Sequence, residues 1–388
     1  MSRGHLLFTV LFAGLLVAVL AGLLWSGSRE PSALDTDAIS VIDLLGGEDQ
    51  PGYQRARPGQ RPGLPADHGP HPDFRSEWWY FTGNLTSETG RHFGFQLTFF
   101  RFALAPQPVQ RSSAWATRQL WMAHLALTDT EGERFFSRER LARGAQGLAG
   151  AEAPPFRVWL EDWSAASLDE DFLPLRVAAS DPDFALDLRL EPGREPVFQG
   201  DDGYSAKGPE PGNASLYYSY TRMPAAGVVR VDGERVAVNG LAWLDREWST
   251  SALGPDLAGW DWFSIQLDDG SDLMFYGLRR KDGGMDALSA GTLVEPDGRV
   301  VRLSRDSVNL EPGERWRSPA TGGDYPVHWT LTIPSRKLRL AVKPRLEHQE
   351  MDLSVRYWEG AIQVRGDRDG RPVSGGGYLE MTGYDHPH

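Results

Sequence analysis

The sequence predicts an all-β protein: two tandem antiparallel β-barrels after an N-terminal membrane helix. Three observations carry this. Strand and turn formers are abundant, with 14 Trp, 17 Phe and 11 Tyr beside 43 Gly and 27 Pro in 388 residues, the residue types that favour pleated sheets and the turns between them. From Trp78 onward apolar residues alternate every second position, and no later stretch carries an amphipathic helix of four turns. Crossover helices of a βαβ protein are therefore not expected. Finally, one hairpin is duplicated. Trp78-x-Tyr80-Phe81-Thr82-x-Asn84-Leu85 returns as Trp260-x-Trp262-Phe263-Ser264-x-Gln266-Leu267. Each copy leads through a Gly-containing turn into a second apolar strand ending on Arg, at 94–101 and 273–279. Repetition at about one domain length points to tandem homologous barrels.

The elements follow in chain order. Arg3 and His5 precede an uncharged run from Leu6 to Trp25, long enough as a helix to cross the roughly 30 Å hydrocarbon core. A cleavable signal has a shorter apolar region ending in a small-x-small site. This run ends in Leu23-Leu24-Trp25 and reads as an uncleaved signal-anchor, with a cleaved signal peptide as the alternative. Residues 1–28 form this segment, and 29–66 form a Pro/Gly-rich linker with Gly46-Gly47 and two Arg-Pro-Gly triplets. The chain is expected to be periplasmic or extracytoplasmic, anchored to the inner membrane by residues 6–25 or secreted if cleaved.

The first barrel is expected over 67–250 and the second over 251–388. Strands are predicted at Trp78–Leu85 and 93–100, then at Trp121–Thr128, Phe156–Leu160, Phe184–Leu190, Leu216–Met223, Val228–Val231 and Val236–Trp243. In the second half they are predicted at Ala287–Val294, Val300–Leu303, Tyr325–Ile333, Leu338–Val342, Val355–Val364 and Tyr378–Tyr384. Asp232-Gly233 is a tight hairpin turn, and 296–298 and 366–370 are further turns.

Charge and composition then prune the chemistry. A formal net charge of −13, with no basic cluster, excludes nucleic acid as a partner. The absence of Cys excludes disulfides, thiolate nucleophiles and Cys–zinc or iron–sulfur sites. No G-x-S-x-G elbow, H-E-x-x-H helix, Walker loop or G-x-G-x-x-G after a strand is present. No metal and no cofactor are expected.

Three polar islands remain. Asp67-His68-Gly-Pro-His71-Pro-Asp73-Phe-Arg75-Ser-Glu77 holds enough His and Asp to ligate a metal, but its prolines fix an extended loop and no second ligand cluster is evident. Its carboxylates are expected to pair with Arg75 or cap turns. Glu77 opens a half-buried strand, so its carboxylate must find a donor or a proton; it reads as a structural pair with an Arg or as a ligand-facing acid. His124, inside Trp121-Met-Ala-His-Leu-Ala-Leu, is a structural histidine or an acid/base, with Gln96 on a neighbouring strand as a second candidate for one cavity wall. In Trp243-Leu-Asp245-Arg246-Glu247-Trp248, alternation sends Asp245 and Glu247 to one face and Arg246 and Trp248 to the other. Asp245 and Glu247 suit acid/base work or an ion-pair network with Arg246 or Arg222. Candidate catalytic residues are thus Asp245, Glu247, Glu77 and His124. Trp78, Tyr80, Gln96, Tyr218, Tyr220, Trp248, Trp260 and Trp262 are the expected ligand contacts, with Tyr217 as a further aromatic wall.

His71-Pro-Asp-Phe-Arg-Ser-Glu77-Trp-Trp-Tyr-Phe81-Thr-Gly-Asn-Leu85, Trp121-Met-Ala-His124 and Asp245-Arg-Glu247-Trp248-Ser together resemble the AttH/CrtC-like family, which is related to carotenoid 1,2-hydratases. The likeness spans roughly 65–385. It implies two lipocalin-like (calycin-type) barrels with a ligand held within or between them. The hydratase branch places a His-x-Trp at 246–248 and an acid on the next hairpin; here only Trp248 matches, and Leu273-Met-Phe-Tyr-Gly-Leu278 has no acid. The leading expectation is therefore an exported lipocalin-like protein that binds a hydrophobic small molecule or lipid in an aromatic-lined cavity. The alternative is a carotenoid 1,2-hydratase-like lyase, isomerase or cyclase acting on an apolar polyene or terpenoid. A third is a periplasmic accessory of an ABC-type export system. The expected partners are accordingly that small molecule or lipid, the membrane through the N-terminal helix, and an ABC-type transporter.

Overall fold

A computed structural model describes residues 39–40, 51–107, 112–250, 253–254 and 256–384, all within the unit Ile39–His388. The candidate membrane helix at 6–25 and most of the linker lie outside the described residues. Those residues form two large sheets, one of thirteen strands and one of eleven, antiparallel except where Ile39–Ser40 pairs in parallel with Val355 and Arg356.

The first sheet begins with the Trp78 hairpin, β1 (Ser76–Ser87) and β2 (His92–Ala103), and continues as a meander through β3 (Gln119–Asp129) and β4 (Arg134–Arg143). Next come β5 (Ala149–Glu152), β6 (Arg157–Leu160), β7 (Trp163–Ser167), β8 (Leu175–Ser180) and β9 (Phe184–Leu190), then the long hairpin β10 (Ala214–Val231) and β11 (Glu234–Ser249). In space the order is β4-β3-β2-β1-β11-β10-β9-β8-β7-β6-β5. The sheet curls until β3 and β4 approach β6, giving a nearly closed barrel.

The second sheet repeats this plan. Its strands are β12 (Leu257–Leu267), β13 (Asp272–Arg280), β14 (Ala290–Val294), β15 (Val300–Ser304), β16 (Asn309–Pro312), β17 (Trp329–Ile333), β18 (Leu338–Pro344), β19 (Val355–Arg368) and β20 (Arg371–Met381). Their order is β15-β14-β13-β12-β20-β19-β18-β17-β16. In both sheets the last strand of the last hairpin returns to pair with the first strand of the first. The Trp78 and Trp260 hairpins therefore hold equivalent places. The closing hairpins match too. Each turns on Asp-Gly with both residues at positive φ, 49° and 83° at Asp232-Gly233 and 51° and 76° at Asp369-Gly370, the backbone of a two-residue type I′ turn.

Strand alternation divides the side chains of each sheet between two faces. One face builds a private core: Trp79, Phe81, Leu97, Leu125 and Leu244 in the first sheet, and Phe263, Ile265, Phe275, Leu340 and Leu379 in the second. The opposite faces meet each other, where Tyr80, Tyr217 and Trp243 pack with Trp262, Met274, Tyr276 and Tyr378.

Several strands escape the sequence pattern. β4 carries Arg134, Arg138 and Arg140, which pair with Asp232, Asp181, Asp183 and Asp162, so charge hides its two-fold apolar period. β5, β7 and β8 are short and rich in Ala and Ser. The predicted strands Leu216–Met223 and Val228–Val231 are one strand, β10, interrupted by a register shift between Tyr220 and Met223. Tyr325–Ile333 divides into Asp324–Tyr325, paired with Trp316–Arg317, and β17. The turn predicted at 366–370 is confined to Asp369-Gly370.

Candidate active site between the two sheets

Register assembles the site. β1 and β11 set Tyr80 opposite Asp245 and Trp78 opposite Glu247. β10 adds Ser219 opposite Asp245 and Tyr217 opposite Glu247. Directly paired residues share a face, so all of these point away from the first sheet's private core. The second sheet answers with Trp262 opposite Glu380, and Glu359 on the far side of Glu380. Between them lies a cavity of about 130 Å³, room for about four waters at roughly 30 Å³ each, or for a group about the size of a benzene ring. Trp78, Tyr80, Trp260, Trp262 and Tyr276 make its aromatic walls, and Asp245, Glu247, Glu380, His124, Tyr357 and Lys207 bring its polar groups.

Asp245 is 4% exposed and receives hydrogen bonds from Trp243 Nε1 (2.7 Å), Ser219 Oγ (2.5 Å) and the Tyr217 hydroxyl. Burial raises its pKa; these donors oppose that, and Glu247 nearby adds to it, leaving the carboxyl at about 7. Glu380, which accepts from Trp260 Nε1 at 2.5 Å, is likewise pushed by burial up to about 7. Two cavity acids are thus available in either protonation state near neutral pH, as acid–base chemistry requires. Glu359 is fully buried and accepts from the Tyr80 hydroxyl at 2.7 Å; burial, with Glu380 beside it, holds it well above the carboxylate range.

Glu247 accepts from Ser215 Oγ and lies 3.2 Å from Lys207 Nζ. Burial works against the Lys207 ammonium, yet Glu247, Tyr276 and Asp245 together outweigh it and raise the pKa. The ammonium also sits 4.3 Å from the centre of the Tyr276 ring. His124 bridges the sheets, with Nδ1 2.7 Å from the Tyr357 hydroxyl and Nε2 2.9 Å from Glu139 Oε2. Burial raises the Glu139 pKa, but hydrogen bonds from His124 and Ser354 bring it below its ordinary value.

Of the residues named from sequence, Asp245, Glu247, His124, Trp78, Tyr80, Tyr217, Trp260 and Trp262 line this cavity. The others lie elsewhere. Glu77 is fully buried between Arg101 and Arg246, accepts from the His71 backbone N–H at 3.0 Å, and is held far below the usual carboxylate range by these cations against the effect of burial. It is the structural pair, not a cavity acid. Tyr218, Tyr220 and Trp248 belong to the first sheet's private core: the Tyr218 hydroxyl meets His68 Nδ1 at 2.6 Å, and Trp248 stacks on His71 at 3.9 Å. Gln96 is buried, donates to Thr98 and stands behind the cavity lining as a hydrogen-bond partner of Tyr357. Parity separates the sets, since Tyr217 and Tyr218 cannot both face one way on a strand. Sequence reasoning missed Lys207, Tyr357 and Glu380. Only Glu380 had a signal: it faces Trp262 as Asp245 faces Tyr80, the equivalent position of the repeat.

An AttH-like family model matches residues 55–384. Among solved structures, the chain is similar to an AttH protein of Nitrosomonas europaea, at 36% identity over 86% of this chain and 100% of that one, with a TM-score of 0.75. It also shares the fold of kievitone hydratase from Nectria haematococca, at 16% identity over 85% and 96% of the two chains, with a TM-score of 0.63. The dehydratase AsqC of Emericella nidulans is 22% identical over 228 residues, 55% of this chain and 62% of that protein, so the match spans about three-fifths of the curated relative. With its fold, its repeated hairpin and a family match across both sheets, this chain belongs to the AttH-like family.

Proposed function

We propose that this protein is an acid–base hydro-lyase, adding water to or removing it from an apolar small molecule held between its two sheets. One observation carries the reading: a buried carboxyl, Asp245, poised at about 7 on the wall of an aromatic cavity. In the hydration direction, protonated Asp245 gives its proton to an alkene carbon. The aromatic faces of Trp78, Tyr80, Trp260 and Trp262 stabilise the cation that develops, and water attacks it. Lys207 and Glu247 offer the polar contacts that orient an oxygen of the substrate. The hydratase and dehydratase among its relatives support this reading over a carrier without chemistry, for which a cavity acid tuned to neutrality has no use.

We read each sheet as a lipocalin-like barrel, over 67–250 and 251–388. The protein works outside the cytoplasm, anchored by residues 6–25, with an ABC-type exporter as a candidate partner. The test is to incubate the chain in ¹⁸O-labelled water with polyenes, prenylated aromatics and their tertiary alcohols, following mass. Gain or loss of one water is expected, with Asp245→Asn slower by about 10²–10⁴-fold. Turnover undiminished in that variant would overturn the assignment.

A further inference from the structure

Glu139 on β4, His124 on β3 and Tyr357 on β19 form a continuous hydrogen-bonded line running from the sheet edge into the cavity. The Glu139 side chain is 15% exposed and that of His124 is fully buried. Tyr357, 4% exposed, lines the cavity. The Glu139 carboxylate can only accept, so His124 Nε2 carries the ring proton and donates it at 2.9 Å. Nδ1 is then the bare nitrogen, and it accepts from the Tyr357 hydroxyl at 2.7 Å. A hydroxyl facing an imidazole, itself oriented by a carboxylate, is the arrangement that activates an oxygen for proton removal. The other cavity phenols lack it. Tyr80 donates to Glu359, Tyr217 to Asp245, and the Tyr276 hydroxyl lies 3.1 Å from Ser205 Oγ, so none of them faces a bare ring nitrogen. Burial and the carboxylates of Glu359, Glu380 and Glu139 raise the Tyr357 pKa, so its proton leaves only as the imidazole takes it.

We propose that Tyr357 is the catalytic base of the cavity, with His124 and Glu139 as the positioning residues that draw off its proton. The assignment rests on the hydro-lyase reading for the identity of the reaction, but not for the basicity of the phenol. In hydration, the C–O bond forms as a water O–H bond breaks, and that proton passes to the Tyr357 oxygen. The phenolic proton moves to His124 Nδ1 and the imidazolium is held by Glu139; once product leaves, the Nδ1 proton returns through Tyr357 to cavity water, which restores the starting tautomer. Asp245 supplies the proton that completes the new C–H bond and is reprotonated from water. Dehydration runs the same steps backward.

Phenylmethanesulfonyl fluoride, a small apolar reagent that sulfonylates activated hydroxyls, tests the assignment without a substrate. The full-length chain is treated and its modified tyrosines are mapped and timed by peptide mass spectrometry. Tyr357 is expected to react about tenfold or more faster than Tyr80 and Tyr217. His124→Gln should slow it by about tenfold, and Glu139→Gln by less, at unchanged melting temperature. The comparison among three tyrosines of the unmodified chain needs no variant, so a misfolded variant does not blunt the test. Equal labelling of the three, or a rate indifferent to His124→Gln in a folded chain, would overturn the proposal. Selective labelling of Tyr357 in a chain that turns over no alkene or alcohol would uphold the base and overturn the hydro-lyase reading instead.

Discussion

Replacing Glu77 by Gln tests the structural half of this account. The carboxylate is fully buried between Arg101 and Arg246, which are 1% and 0% exposed, and it accepts from both guanidiniums. The two cations keep neutral acceptors in the variant: Arg101 donates to the carbonyls of His71 and Phe74 at 2.9 and 2.8 Å, and Arg246 to that of Gly69 at 2.6 Å. What they lose is, among the described residues, the one carboxylate paired with both. Leaving buried charge unpaired costs about 3–5 kcal/mol, a large part of a net stability of about 5–15 kcal/mol. Urea unfolding followed by Trp fluorescence should show that loss at an unchanged slope, with a melting temperature lower by roughly 10 °C. The sign of the pH dependence follows. Because the folded pKa is depressed, the Glu77 contribution is fully present above the unfolded value of about 4.3 and is lost as pH falls toward the folded one. The variant should therefore have a flatter acid limb. A cost under about 1 kcal/mol, together with lost turnover, would refute the reasoning and return Glu77 to the role of a reacting acid.

Asp245 and Glu380 bend stability the other way. Their folded pKa values lie near 7, above the unfolded values near 4, so their protonated forms stabilise the fold below about pH 4 and that stability fades as pH rises to about 7. Asp245→Asn should flatten the loss between pH 5 and 8 by roughly 3 kcal/mol in denaturant titrations; an unchanged slope would contradict the burial argument. Trp262→Ala should weaken binding of an apolar fluorophore about tenfold, while Tyr218→Phe leaves it unaltered; equal effects would mean that the cavity face is misassigned. At Gly94, an added Cβ would collide with Ala361 and crowd the Tyr378 hydroxyl. Gly94→Ala should cost about 1–3 kcal/mol in thermal unfolding, and a neutral result would place the two sheets farther apart than described.

How much of this was legible in the sequence depended on whether a signal was local. Alternation through Trp78–Leu85 and the Asp232-Gly233 turn announced their hairpins, because pleat and turn chemistry act over neighbouring residues. The pairing of Asp245 with Glu247 on one face and of Arg246 with Trp248 on the other followed from the same period. Parity within a strand, however, does not say which face meets the private core. Tyr218 and Tyr220 looked as suitable for a ligand as Tyr217 until the register of β10 against β11 set them apart. The Glu139–His124–Tyr357 line joins β4 and β3 to β19, more than two hundred residues along the chain, and no local rule reaches that far.

The repeated strand plan explains why the cavity and its acids sit at the seam rather than inside either sheet. Each private core is filled by its own apolar face, Phe95 and Leu97 in one and Phe275 and Leu340 in the other, all at 0% exposure. A carboxylate placed there would need a dedicated pair of cations, which is how Glu77 survives. The outer faces meet instead over a pair that recurs in both sheets: an aromatic on the first strand of the opening hairpin and an acid opposite it, Tyr80 with Asp245 and Trp262 with Glu380. Bringing two copies of one face together therefore sets two acids and a ring of aromatics around a shared cavity. Lys207 and the Tyr357–His124 pair add the groups that make the lining of that cavity asymmetric.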